Sequence, residues 1–544
     1  MDGNEVRSVP RVEWLAVGVA TVIGAILRCF AVVRVGQHID EAASAMAAVC
    51  TATSGVPVFP SGVLYLQGAS LSYLLAPALR LGLDPVSAWV RVVPLIPGCL
   101  SVPLAWWVGR RLGLGWVALL AAAWLALDPL SVEWSAHLRP YALIQLTTLV
   151  AVGAFASIRD GARWPIVLFW AAMLLGVFTH IGIALLLPAL ALATVLTAPR
   201  DLTRWVALVG AGAPPLVLLA INKLYGVSSA GDAPPAAMSF VGNHLVSTST
   251  LWSPDFHGWT QLYASQGLAG VVAMSVGVLL ATAAARDRWV LAIYGIPVLL
   301  VSALTTEQMG RYLLLIAAFG WMVVALAVER VVTWHWPDPA SPWGRRILAA
   351  IAVGIAVMNA SGLYSLFRKP AVDPDYGKMF EVVVERRQPD EPVIAAMTTA
   401  VWLRQGGSGA GLWFLAGPAS GPRAKRYTRP KMAGRVDYWA GVPAITSAAQ
   451  LCNALKGAHR PWVIMDEGRL QYAFDGAMGD VLRGATRVVW RGTGGGLVHH
   501  AEDVTRWSPT ARRVCVIPSS VPVAPDAIRD GKSMVPIVPL VLPH

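Results

Sequence analysis

Adjacent carboxylates stand at Asp40 and Glu41, a few residues beyond the first long apolar stretch of the chain. A carboxylate pair at the mouth of a bilayer is costly to keep without a role, and a positioned carboxylate can serve as a general base. Three further groups carry side chains suited to chemistry. Glu133, His137, Arg139 and Tyr141 fall in one stretch where Pro129 and Pro140 bracket a turn. His180 follows Thr179, and Arg311 precedes Tyr312. A guanidinium is permanently charged and its fork matches phosphate oxygens, while helix N-terminal amides add positive potential. Arg139 and Arg311 therefore suit an anion. Each group also has a plainer reading. The pair can be solvated at the interface, the arginines can snorkel to headgroups, and His180 can be a satisfied polar residue in a helix turn.

Composition defines the setting of these residues. Of 544 residues, 56% are hydrophobic and 14% charged, more apolar than a single water-soluble core requires. The chain reads as a polytopic α-helical membrane protein. Its 43 Lys+Arg against 31 Asp+Glu give a net charge of +12, but the basic residues come in ones and twos between apolar runs. That pattern marks cytoplasmic loops, and nucleic acid is not expected as a partner. The five cysteines show no metal-ligand spacing. The first apolar run is too long for a signal-peptide core and has no small-residue cleavage pattern, so it is expected to stay as the first span.

With roughly 20 residues per span, about eleven helices are expected. They lie near 12–33, 87–108, 114–133, 141–157, 165–179, 181–198, 203–222, 266–285, 289–304, 312–330 and 346–366. Arginine pairs (Arg7 and Arg11, Arg110 and Arg111, Arg159 and Arg163, Arg200 and Arg204, Arg286 and Arg288, Arg345 and Arg346) occupy one set of alternate loops. The other set holds mostly single basic residues. The positive-inside bias makes the first set cytoplasmic and places the C-terminal region outside. Asp40, Glu41, Glu133, His137, Arg139, Tyr141, His180, Glu307 and Arg311 then share the external face. The stretch from Gln37 to about Leu83 is expected to form short interfacial helices that can roof a cavity, and 223–266 a second long external loop.

Three strings in the expected first external loop carry a family resemblance: His38-Ile39-Asp40-Glu41-Ala42, then Gly55-Val56-Pro57 and Pro60-Ser61-Gly62-Val63-Leu64-Tyr65. They resemble the corresponding loop of GT-C glycosyltransferases that use polyprenyl-phosphate-linked sugars, including protein O-mannosyltransferases and lipid A aminoarabinose transferases. Asp128 to Leu143 resembles a GT-C turn that reads Ser, two variable positions, then Glu or Asp close to an Arg-x-Tyr; here His137 stands where the acid is expected and Glu133 lies a helical turn earlier. Either Glu133 substitutes, or the first pair works alone. Thr179-His180 and Arg311-Tyr312 are similar to further GT-C motifs, the latter associated with the phosphate of the lipid-linked donor. The resemblance covers roughly residues 12–330 at motif level.

That resemblance implies an inverting hexosyl- or pentosyltransferase working at the extracytoplasmic face of a prokaryotic plasma membrane. Its partners would be a polyprenyl-phosphate sugar donor, membrane lipid, and a protein, lipid or glycan acceptor. Asp40 is expected as the general base. Glu41 would orient the acceptor or tune Asp40 through like-charge proximity, which raises one of two pKa values. Arg311 and Arg139 would hold phosphate, His180 would hydrogen-bond donor or acceptor, and Tyr65, Tyr141, Tyr312, Glu133 and His137 would complete the substrate site. No cofactor is certain. A divalent metal at the acidic residues is an open possibility, since GT-C members differ in this. A transporter or lipid flippase is the rival class, but it should carry midplane sites or an internal repeat. An inactive scaffold that keeps the fold for a partner is the third reading.

Composition changes near Arg368, giving expected domains at 1–367 (membrane), 368–510 (extracytoplasmic α/β) and 511–544 (irregular tail). Strands are predicted at 392–396, 461–466, 487–490 and 496–500, with helices at 447–456 and 469–482. Gly492 to Gly496 reads as a hairpin turn because a strand follows it. Cys452 and Cys515 can pair in an oxidising compartment. The α/β part holds no recognisable acid, base or ligand constellation. It is expected to cover the external cavity and choose the acceptor, with the membrane part folding without it.

Overall fold

The computed structural model describes residues 10–516 except 36–37, 159–162, 229–254, 265–266, 283–284, 305–309, 336–341, 369–373, 422–423, 425–426, 432–433, 458, 473 and 475. Glu307, most of the 223–266 loop and the tail beyond 516 lie outside the described residues.

Each apolar segment read from the sequence contains helix. Among the described residues, five helices are long and apolar enough to cross a membrane: Arg11–Arg34, Ala88–Arg111, Leu202–Ile221, Gly310–His335 and Pro342–Arg368. A sixth is a bent pair, Val117–Leu127 with Pro129–Ser135, and four shorter apolar helices accompany them. We label Arg11–Arg34 α1, Ile39–Ser54 α2, Ala69–Arg80 α3, Val92–Arg111 α4, Val117–Leu127 α5, Pro129–Ser135 α6 and Tyr141–Ala156 α7.

The apolar window of Gly310–His335 is 83% buried and that of α1 28%. The former is thus the axis of the bundle. On α1, Val12, Leu15, Val19, Val22, Ile26 and Val33 point outward, a face that suits lipid and not water. The break between α5 and α6 follows from Asp128-Pro129: proline cannot donate into the preceding turn, and it starts α6 while the Asp128 side chain caps it at Ser131 N–H. The two helices meet at 58°.

Between α1 and α4 the chain forms two short helices. α2 opens with a capping box in which His38 Nδ1 accepts from Asp40 N–H (3.1 Å) and Glu41 Oε1 accepts from His38 N–H (2.6 Å). It closes at Gly55 with φ 81°, a left-handed cap.

The C-terminal part is a six-stranded sheet in the order β5-β2-β1-β6-β8-β7. Here β1 is Val393–Ala395, β2 Leu412–Leu415, β3 Thr428–Lys431, β4 Gly434–Asp437, β5 Ala444–Ile445, β6 Trp462–Asp466, β7 Thr486–Arg491 and β8 Gly496–Ala501. β5, β2, β1 and β6 run parallel and β8 and β7 antiparallel, while β3 and β4 form a separate hairpin. The β7–β8 connection is the glycine turn read from the sequence, with Gly494 and Gly495 at φ 70° and 75°.

Alternate residues of each central strand enter different cores, as the pleat requires. Val393, Ala395, Phe414, Trp462 and Ile464 pack with Met46 of α2 and Leu71 and Leu75 of α3. Ile394, Leu415, Val463 and Met465 pack with Leu451, Leu455, Val481 and Leu482 from helices on the other face. A sheet covered on both faces explains the continuously apolar strands. The Cys452–Cys515 disulfide ties helix Ala448–Lys456 to helix Pro509–Val516.

α2 and α3 therefore belong to one core with the sheet. Further bonds fix this contact: Ser61 N–H donates to Trp439 O (3.1 Å), Ser61 Oγ to Tyr438 O, and Arg429 Nη1 to Ser61 O (2.9 Å). This bears against the expectation that the membrane part folds without the sheet, because α2 and α3 would lose the surface against which they are buried.

Candidate active site

The two carboxylates of the Asp-Glu pair point in different directions because they are successive residues on one helix turn. Glu41 is 2% exposed. Its Oε1 accepts from Arg91 Nη2 (3.1 Å) and His137 Nδ1 (2.8 Å) as well as His38 N–H; its Oε2 accepts from Arg91 Nε (3.0 Å) and Leu138 N–H (2.9 Å). Arg91 also donates from Nη1 to Val32 O and Val35 O, the carbonyls at the end of α1 (both 2.9 Å). One buried carboxylate thus joins the end of α1, the start of α2, the approach to α4 and the turn after α6. Burial alone would raise its pKa, but His137, Arg91 and Leu138 N–H outweigh this and hold it at about 2.

Asp40 is 34% exposed at its side chain, and three cationic or imidazole groups surround Oδ2: Arg311 Nη2 at 3.5 Å, Arg139 Nη2 at 3.7 Å and His38 Nδ1 at 3.8 Å. Burial raises its pKa and is outweighed by Arg139, His38 and Arg311, so it lies below the usual carboxylate range. The expected like-charge effect is not seen, since both pKa values are lowered. Glu41 faces its own arginine and histidine, while Asp40 faces others.

Arg139 Nη1 donates to Asp40 O (3.2 Å) and Ser44 Oγ (3.1 Å), and Arg311 Nη1 lies 3.4 Å from His38 Nε2. The Nε atoms of both Arg139 and Arg311 are buried with no hydrogen-bond partner among the described residues. Aromatic rings support both guanidinium groups. Arg311 lies over Trp134, Tyr141 and Tyr312 at 5.2, 5.9 and 5.7 Å, and Arg139 over Tyr141 at 5.8 Å. His180 completes the cluster, 6.0 Å from Tyr141 and 6.1 Å from Tyr312 between ring centroids. Burial, with Arg139 and Arg311 nearby, pushes His180 down to about 4, so it is neutral at pH 7. Its Nδ1 accepts from Gly182 N–H (3.1 Å), which leaves the proton on Nε2.

The structure therefore gathers Asp40, Arg139, Arg311, Tyr141, Tyr312 and His180 into one group. Tyr65 bears electrostatically on Arg139. His137 reaches the acidic pair through Glu41, and Glu133 lies half-buried one turn earlier on α6. Sequence reasoning did not single out His38, Arg91, Trp134 or Arg469. Arg91 had a signal, an arginine near the start of an apolar segment, as Arg311 is. Arg469 had none, because the contact comes from the α/β layer. It is held by Asp466 and by Tyr376 OH (3.1 Å), and its charge adds to the lowering of Asp40.

A divalent metal does not fit this donor set. Glu41 has both oxygens committed to protein donors, and the remaining carboxylate is shared by two guanidinium groups, which repel a cation. Among the described residues no group of three or more His, Cys, Asp or Glu is placed to hold a metal.

Fold and site together define a polytopic helical membrane protein with an arginine-flanked carboxylate beneath an α/β layer. No family model matches the chain, and no curated protein matches it by sequence. Solved structures do. ArnT from Cupriavidus metallidurans in the apo state aligns with a TM-score of 0.59 at 14% identity, covering 91% of this chain and 98% of that one. The same protein bound to undecaprenyl phosphate gives 0.58 at 15% identity with the same coverage. An Archaeoglobus fulgidus oligosaccharyltransferase in the apo form gives 0.54 at 12% identity, covering 86% of this chain and 71% of that one. The chain thus shares the fold of these two proteins.

Proposed function

We propose that the protein is a membrane glycosyltransferase that moves a sugar from a polyprenyl-phosphate carrier to an acceptor hydroxyl. The observation that carries this is the pair of buried, unpartnered Nε groups on Arg139 and Arg311, both beside one partly open carboxylate. A buried donor without an acceptor is costly, and a phosphate oxygen would relieve it with a charge-assisted bond. The likeness to a structure holding undecaprenyl phosphate supports the same ligand class.

In this reading Arg139 and Arg311 hold the donor phosphodiester, with Tyr141, Tyr312 and the Nε2–H of neutral His180 around it. Asp40 takes the proton of the acceptor hydroxyl as its oxygen bonds to the anomeric carbon. The bond from that carbon to the phosphate oxygen breaks, its electrons leave with the polyprenyl phosphate, and attack opposite the leaving group inverts the centre. The low pKa of Asp40 makes it a weak base while the arginines face it. Phosphate binding draws on those same guanidinium groups and adds negative charge, so the donor itself strengthens the base. Glu41 is the positioning residue of the pair. The sugar is a hexose or pentose, and the acceptor is a protein, lipid or glycan.

We further propose an eleven-span topology with the site on the extracytoplasmic face of a prokaryotic plasma membrane. Two observations support that side: the alternation of loop arginines, and a disulfide in the layer that shares a core with α2. The α/β layer is proposed as a lid over the site and a determinant of acceptor choice. The test compares extracted lipids and cell-envelope glycans with and without the gene. Loss of one glycan with accumulation of its lipid-linked sugar is expected; unchanged profiles under conditions of expression would refute the proposal.

A further inference from the structure

Arg28 lies inside α1, six residues before its end at Arg34, yet it is 0% exposed. It does not snorkel. Its donors all turn inward: Nη1 to Gly24 O (3.1 Å) and Ala126 O (3.2 Å), Nη2 to Leu125 O (3.3 Å), and Nε to Ser135 Oγ (3.3 Å). The acceptors at Leu125 and Ala126 are carbonyls that lose their i+4 donors at the break in the bent pair, where Leu125 O also takes the Asp128 N–H (3.3 Å). In a continuous helix they would accept from residues 129 and 130. Pro129 has no N–H, and the amides of Leu130 and Ser131 instead serve the Asp128 carboxylate.

Space for the guanidinium is built in. A Cβ on Gly24 would lie 3.0 Å from Arg28 Nη1 and 3.1 Å from Ala126 Cβ, and one on Gly98 of α4 would lie 2.1 Å from Ser135 Oγ and 3.3 Å from Arg28 Nε. Two helices therefore carry glycine where this side chain and its partner pass. Ser135 is the last residue of α6, and the turn that follows delivers His137 to Glu41 and Arg139 to Asp40 and Ser44.

We propose that Arg28 is a positioning residue: it braces the bend between α5 and α6 from within the membrane, and so sets where Arg139 stands. The inference rests on the reading of Arg139 as a phosphate ligand. It assigns a role to an intramembrane charge that no substrate contact explains.

The test uses the full chain in nanodiscs with undecaprenyl phosphate as probe, and two readouts, probe affinity and amide hydrogen exchange. For Arg28→Met, exchange across residues 129–139 should rise while Gly310–His335 is unchanged. Affinity should fall on the order of tenfold, as for loss of one charge-assisted hydrogen bond. Arg28→Lys should restore part of both. Ser135→Ala, which removes one bond and keeps the charge, should give a smaller change in the same direction, and it serves if Arg28→Met does not fold. Unchanged exchange and affinity would overturn the proposal, as would raised exchange with unchanged affinity when Arg139→Ala loses the probe. If Arg139→Ala keeps full affinity, the phosphate reading itself fails, and exchange across 129–139 alone decides whether Arg28 holds the turn.

Discussion

Glu41 and Arg91 meet through two hydrogen bonds of 3.0 and 3.1 Å, with both side chains less than a tenth exposed. This bidentate pair makes the second carboxylate of the Asp-Glu dipeptide a fastening between segments, and leaves Asp40 as the more exposed member.

The two carboxylates should therefore fail differently. Asp40→Asn keeps the size and removes the basicity, so turnover with a polyprenyl-linked donor should fall by about two orders of magnitude or more with little change in melting temperature. Glu41→Gln should lower melting temperature as well as turnover. Near-normal turnover in Asp40→Asn would remove it as the base.

Acid should loosen this fastening. The Glu41 pKa is lowered from 4.5 to about 2, so its contribution is fully present above pH 4.5 and is lost as pH falls from there towards 2. The shift corresponds to roughly 3 kcal/mol. Thermal denaturation of detergent-solubilised protein between pH 6 and 3 should show a decline in the wild type that Glu41→Gln lacks; parallel curves would contradict the assignment.

Donor phosphate recognition can be read from Arg311. Arg311→Lys keeps charge but loses the fork and the ring stacking, so undecaprenyl phosphate affinity should fall measurably, and Arg311→Ala should lower it further. Equal affinity in all three proteins would favour an arginine that only anchors to headgroups.

The proposed topology is open to direct measurement. A reporter fused near Gly406 should be external and one near Arg286 internal, and Cys452 and Cys515 should be found oxidised in protein from intact cells. Both reporters on one side, or free thiols at both cysteines, would overturn the orientation.

Truncation after Arg368 tests the shared core. Because Met46, Leu71 and Leu75 are buried against strand residues, the truncated chain should expose α2 and α3 to protease and lose probe binding. A truncated protein with protected α2 and full affinity would show that the membrane part stands alone.

The sequence by itself determined the class of molecule. Apolar length marked each of the eleven expected segments from α1 to Pro342–Arg368, though not the helix His257–Ala264 inside the expected 223–266 loop, and proline and glycine spacing marked the turn at 129–140 and the β7–β8 hairpin, because these signals act over neighbouring residues. Motif order also brought Asp40, Arg139, His180 and Arg311 forward as one group. It also named Asp40 as the expected base, but what separates two adjacent carboxylates was hidden, because Arg91 and His137, at distant positions, engage Glu41. Short strands such as β2 and β5, the Arg28 brace and the reach of Arg469 towards Asp40 were equally hidden. Each depends on contacts between residues tens to hundreds of positions apart, and a buried charge takes its role from the partners that folding places around it.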